Sequence, residues 1–197
     1  ETKNIGCGEG GALFVNREDW VARADVIQEK GTDRSRFLRG QVDKYTWVDL
    51  GSSYLLGELP AAMLLANLRR IDEVQRRRLQ IWETYHQRLA KWAEDQGVQT
   101  PHIPAGYSHT AHLYYLIFPS LAERGHFTGH LDQQGVTGSY HYQPLHLSPM
   151  GKKFGGEIGD CPVTEKVAET LVRLPLFADM TDRQIDQVVE AVVSWKR

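Results

Sequence analysis

The opening residues, Glu-Thr-Lys-Asn-Ile-Gly-Cys-Gly-Glu-Gly-Gly, place one lysine, Lys3, ahead of a run of glycines. A lysine attacks a carbonyl only when its amine is neutral, uncrowded and held on a fixed backbone. The glycines beside Lys3 permit that approach, although a lone lysine near glycines is, as a rule, a surface residue. A second concentration of reactive types is Ser139-Tyr140-His141-Tyr142-Gln143-Pro144-Leu145-His146. Its rings and imidazoles suit stacking and hydrogen bonding to a ligand; equally, strand alternation there sends Tyr140 and Tyr142 into a core. Gly51-Ser52-Ser53 reads as a turn capping a helix, and a helix start also favours anions. His109 and His112 have a metal-compatible spacing, but no third ligand stands in a recognisable pattern, so no metal is expected and they read as solvated or capping. Cys7 reads as a small buried residue.

These residues need elements to hold them. Gly10 to Val15 is a short apolar run after glycines, expected as a buried strand, with Asn16 capping a helix through about Lys30. Residues 31–53 show no sustained period and are expected as an ordered loop, of the kind that carries function. From about Leu56 to Gln96 the spacing of Trp82, Tyr85, Leu89 and Trp92 predicts one long helix, with Pro60 tolerated near its start. Its arginines at 69, 70, 76, 77 and 78 are expected on a solvated face. Beyond Pro101 the pattern predicts a strand over 113–118, a helix near 127–134, a strand around 136–142, and helices near 164–173 and 181–196. That alternation argues for a compact α/β subdomain, with a boundary near residue 97.

The 197 residues are 41% hydrophobic and 24% charged, with a net charge of −2. That composition is globular, lacks any run of about 18 apolar residues that would enter a membrane, and has no broad basic footprint for nucleic acid. Local basic patches such as Arg34, Arg36 and Arg39 remain able to meet a phosphate. Cys7 and Cys161 match no CxxC spacing, which argues against a zinc or disulfide framework and fits a reducing cytoplasm. An opening Glu, with neither a signal peptide nor a helix start after it, is expected of a chain that begins mid-protein.

The string Thr2-Lys3-Asn4 followed by Gly8-Glu9-Gly10-Gly11-Ala12-Leu13 resembles the cofactor-lysine segment of the DegT/DnrJ/EryC1/StrS nucleotide-sugar aminotransferases, and Leu50-Gly51-Ser52-Ser53-Tyr54 with Glu58 and Ala61-Ala62 is similar to a later segment of that family. The resemblance covers essentially the whole chain. It implies the fold of pyridoxal-phosphate-dependent transferases of fold type I: residues 1–55 the last part of the large cofactor domain, 56–96 a long linking helix, and 97–197 a small C-terminal α/β domain. It places Lys3 on the lysine that holds pyridoxal 5′-phosphate and serves in turn as nucleophile and base. Related sugar dehydrases of the same fold have histidine there, so lysine favours transamination. Ser53 stands where the family commonly has an asparagine reaching the cofactor phosphate of the partner subunit, and Leu55 replaces the usual arginine. The resemblance further implies substrate contacts from His141 and Tyr142, with Lys44 and Tyr45 as additional candidates, Lys44 as a point charge for a pyrophosphate. The segments FLRGQVDKYTW, DLGSSYL, HYQPLH and RLPLF are similar to the branch that aminates the C4 ketone of dTDP-4-keto-6-deoxyglucose, with glutamate as donor, for enterobacterial common antigen. Other keto nucleotide sugars, or a non-catalytic fragment serving dimerisation, are the alternatives. A homodimer is expected, and much of the cofactor cradle would precede Glu1.

Overall fold

The computed structural model describes residues 3–197. Contacts divide the chain into two compact units, Glu1–Ile71 and Asp72–Arg197.

In the first unit, α1 (Glu18–Gln28) and the short α2 (Arg34–Leu38) precede α3 (Glu58–Arg69). Gly31 has φ 78°, the left-handed region glycine enters without cost, and an added Cβ there would fall 1.8 Å from the Asp49 carbonyl oxygen. Its own carbonyl accepts from Val48 N at 2.8 Å and Asp49 N at 3.0 Å. The stretch expected as an ordered loop is therefore laced back on itself, with single bridges Thr32↔Trp47 and Glu29↔Ser53. Arg34 pairs with Glu29 at 3.3 Å and Arg39 with Asp25 at 2.6 Å, so two arginines of the expected basic patch are spent on carboxylates.

Residues 10–15, expected as a buried strand, are neither paired nor buried: Leu13 is 79% and Phe14 85% exposed. An apolar run becomes a strand only where another strand meets it, and none of the described residues does. Among the described residues of this unit no apolar side chain is buried, and the buried positions are Glu29, Gly31 and Asp33.

The second unit is organised by α4 (Ile71–Gln96), whose buried Ile81, Trp82, Tyr85, Leu89, Trp92 and Ala93 recur at helical spacing. They join one core with Ile185, Val188, Val189 and Val192 of α8 (Asp182–Ser194), and with Tyr114 and Leu116 of β1 (Tyr114–Ile117). The two polar ends of this aromatic core are satisfied: Tyr85 Oη donates to the Pro175 carbonyl at 2.8 Å and Trp92 Nε1 to the Trp195 carbonyl at 3.0 Å. Burial pushes the Tyr85 and Tyr114 phenols above their ordinary range, which keeps them neutral donors.

The single helix expected from Leu56 to Gln96 is two. At Arg70 the backbone N–H bonds Asn67 O at 3.1 Å in a tightened last turn, and the ladder restarts at Ile71. The solvated arginine face also needs correction. Arg78 is 6% exposed and donates from Nε to the Ala111 carbonyl at 3.1 Å and from a second nitrogen to the His112 carbonyl. Arg77 reaches the Met180 carbonyl at 2.7 Å and Asp182 at 2.8 Å. Long aliphatic stems let both guanidiniums cross the helix edge and tie down loops.

After β1 come α5 (Leu121–Gln133), a 3-10 turn over Leu145–Leu147, α6 (Pro149–Lys153), α7 (Pro162–Thr170) and β2 (Leu171–Leu174). β2 pairs antiparallel with β1, Tyr114 opposite Leu174 and Ile117 opposite Leu171. The helix expected over 164–173 thus stops early. Leu174 precedes Pro175, which disfavours the helical region at that residue, and Leu171 and Val172 are buried on the sheet. The strand expected around 136–142 reduces to one bridge, Ser139↔Arg173. The described residues are mostly helical, with this one two-stranded sheet. No helix among them is long and apolar enough to cross a membrane.

Candidate functional site

Lys3 is exposed on a bend, and the segment that carries it is fixed from α3, where Asn67 Nδ2 donates to the Gly6 carbonyl at 2.6 Å. A Cβ added at Gly6 or Gly8 would meet nothing within 4 Å, whereas one at Gly10 would fall 2.7 Å from Cys7 Sγ and 3.3 Å from Leu56. The glycine segment is open near Lys3, and a Cβ meets neighbours only at Gly10, where Cys7 and Leu56 lie close. Cys7 is half-buried and its thiol faces the Glu9 carbonyl at 3.7 Å, a small filler rather than a reactive centre.

Ser53 is exposed, and among the described residues its hydroxyl has no hydrogen-bond partner. The expected alternative, a serine turn capping the helix, does not hold: the N-cap of α3 is Gly57, without a side-chain cap. The backbone around it is fixed instead by Ser52 N to Ile27 O at 3.0 Å and Tyr54 N to Gln28 O at 3.1 Å. Gly51 lies so close to Gly31 that an added Cβ would fall 2.2 Å from its nitrogen. In the same unit Lys44 is exposed, and Tyr45 is 51% exposed with its ring 5.7 Å from that of Phe37.

In the second unit His141 is half-buried and Tyr142 is 81% exposed, their rings 6.1 Å apart and nearly perpendicular. Tyr140 is 68% exposed, so the reading that buried Tyr140 and Tyr142 fails. Two arginines that the sequence did not single out border this segment. Arg173 donates to the Tyr140 carbonyl at 3.3 Å, and the Arg124 guanidinium lies 5.7 Å from the Tyr140 ring centre. No sequence signal points to them, because the bridge at Ser139 that brings Arg173 close is a tertiary contact.

His109 packs its ring 4.4 Å from Trp82 and takes the Ala111 N–H at 3.2 Å, while the His112 carbonyl serves Arg78. The His109 ring is thus held by packing and by the Ala111 amide. Among the described residues no three His, Cys, Asp or Glu side chains gather as a metal site.

Residues 1–193 match the profile described as the DegT/DnrJ/EryC1/StrS aminotransferase family. The chain belongs to that family. It is 30% identical over 198 residues to the uncharacterized protein MJ1066 of Methanocaldococcus jannaschii, covering 97% of this chain and 50% of that protein. It is 28% identical to the spore coat polysaccharide biosynthesis protein SpsC of Bacillus subtilis, with the same coverage of both. Among solved structures it is similar to DesV of S. venezuelae in complex with a ketimine intermediate, at TM-score 0.84 and 26% identity over 98% of this chain and 49% of that one. The chain has the aminotransferase fold of this family and spans about half the length of the relatives it matches.

Enzymes of this family use pyridoxal phosphate. Two observations in this chain fit that group: an exposed primary amine on an uncrowded glycine segment, and an exposed serine hydroxyl with no hydrogen bond among the described residues. An amine for the aldehyde and a donor for the phosphate are what the cofactor asks of a protein.

Proposed function

We propose that this chain is the C-terminal half of a pyridoxal-phosphate-dependent nucleotide-sugar aminotransferase, nearest in character to dTDP-4-amino-4,6-dideoxygalactose transaminase. It would act on dTDP-4-keto-6-deoxyglucose with glutamate as donor. The observation that carries the reading is the family match running from the first residue; the resemblance of Thr2-Lys3-Asn4 to the family's cofactor-lysine segment, and the open approach to Lys3, support it.

In this reading Lys3 holds the cofactor through Nζ. As a free amine, Nζ would be the base that moves the proton at the donor's Cα and, in the second half-reaction, at C4 of the sugar. The bound cofactor supplies the electron sink that makes the Cα proton acidic. Ser53 Oγ donates to the cofactor phosphate, across a homodimer interface. His141 and Tyr142 pack on or hydrogen-bond the nucleotide sugar, while Lys44 offers a point charge to its pyrophosphate beside Tyr45. Residues 1–55 are the end of the large domain and 97–197 the small domain of the intact cytoplasmic enzyme. The likeness to a spore coat polysaccharide protein supports a product destined for cell-surface polysaccharide.

The test is product analysis by NMR with the intact enzyme, dTDP-4-keto-6-deoxyglucose and glutamate. An amine at C4 with galacto configuration is the expected product. Amination at C3, or turnover only with another keto sugar, replaces this substrate with a different one in the same class. A second reading, a non-catalytic fragment that serves dimerisation, is favoured by the exposed apolar side chains of the first unit; absence of cofactor absorbance in this chain alone would support it.

A further inference from the structure

Three donors converge on the Glu165 carboxylate in α7. His146 Nε2 donates to Oε1 at 2.9 Å, Gly159 N reaches the two oxygens at 2.9 and 3.1 Å, and Cys161 N reaches Oε1 at 3.3 Å. The His146 and Glu165 side chains are only 16% and 17% exposed. Hydrogen bonds to a carboxylate are stronger than neutral ones, and these hold the carboxyl of Glu165 below the ordinary range, His146 contributing most.

What the carboxylate fastens is the exit of the aromatic segment. His146 lies in the 3-10 turn Leu145–Leu147, and α6 folds over that turn: an added Cβ at Gly151 would fall 2.1 Å from the Leu145 carbonyl oxygen, and one at Gly156 2.4 Å from that of His146. Gln143 Nε2 donates to the Leu147 carbonyl at 3.2 Å. The entrance is fixed separately, by Ser139 N to Arg173 O at 3.0 Å and Arg173 N to Ser139 O at 2.6 Å, together with the Arg173 guanidinium on the Tyr140 carbonyl. Between these two anchors stand His141 and the exposed Tyr142.

We infer that Glu165 is a positioning residue: through His146 it anchors the downstream end of the His141–Tyr142 segment, so that those rings are presented to the sugar nucleotide in a fixed pose. The consequence for substrate rests on the function proposed above; the anchoring itself does not. Without the carboxylate the segment hinges at Ser139, and ordering it again is charged against substrate binding.

The anchoring is tested on this chain by hydrogen–deuterium exchange, comparing Glu165→Ala, Glu165→Gln and His146→Ala with the wild type. Glu165→Ala is expected to speed exchange about tenfold or more in peptides covering both 139–147 and 155–161, the size expected for losing charge-assisted hydrogen bonds. Glu165→Gln keeps an acceptor and restores most of the protection, whereas His146→Ala loosens 139–147 alone. Peptides from α4 and α8 stay unchanged, which separates a local anchor from a loss of fold. If Glu165→Ala does not fold, the other two variants carry the comparison. Unchanged exchange over 139–147 in His146→Ala and Glu165→Ala overturns the inference. In the intact enzyme Glu165→Ala and His146→Ala should raise KM for the keto sugar severalfold, with Glu165→Gln close to wild type, and all three should leave the glutamate half-reaction at its wild-type rate. A loosened segment with an unmoved KM contradicts the role toward substrate while the anchor stands.

Discussion

Arg78 is a charge in the core of the second unit whose partners are two backbone carbonyls rather than a carboxylate. Burial alone pulls its pKa down, and the carbonyls of Ala111 and His112 depend on it for donors. Ala111 has φ 46°, an uncommon left-handed position for a residue with a side chain, so Arg78 braces a strained turn. Arg78→Met keeps the stem and removes the donors; it should cost about 2–3 kcal/mol, read as a lower denaturation midpoint without a change in slope. Glu165 supplies a pH prediction. Its folded-state pKa is lowered, so its contribution is present above the unfolded carboxylate value and is lost as pH falls through the folded value. Exchange at the Gly159 and Cys161 amides should therefore accelerate on acidification through and below the usual carboxylate range, a response that Glu165→Gln abolishes. The groups facing that carboxylate are His146 and the two amides, with Asp160 beside them occupied by Glu157 N at 2.8 Å.

At the scale of elements, α4 and α8 were legible because their apolar residues repeat every three or four positions and those positions are the ones buried. Leu89, fully buried on α4, should lose about 2–5 kcal/mol on substitution by alanine, measured by chemical denaturation. The capping box at Thr181 and Gln184 is worth about 1 kcal/mol, to be read from Thr181→Ala. The misread elements share a cause. The strand over 10–15 needs a neighbour that the described residues do not supply, and β2 exists because β1 lies beside it, which no local period announces. The candidate site follows the same division. The HYQPLH segment stood out by residue type and Lys3 by the resemblance of its segment to the family's, while Glu165, Arg173 and Arg124 reach the HYQPLH segment only through folding.

Taken whole, the molecule distributes its core unevenly. The second unit contains every buried apolar side chain among the described residues, and the first contains none. Stability follows buried apolar area, so amides of α4, β1, β2 and α8 should exchange slowly and together, and those of residues 10–57 faster by orders of magnitude in this chain. Equal protection of the two units would contradict that picture. The exposed Leu13, Phe14, Trp47 and Leu59 also make the first unit the place where an apolar dye should bind. The chain spans about half the length of its relatives, and the central claim is that Lys3 is the lysine that holds the cofactor. Borohydride reduction of the intact enzyme with pyridoxal phosphate, followed by peptide mapping, tests it most directly. A pyridoxyl adduct on Lys3, lost in Lys3→Arg, is the predicted result; an adduct on another lysine, or none in the folded protein, would contradict the account.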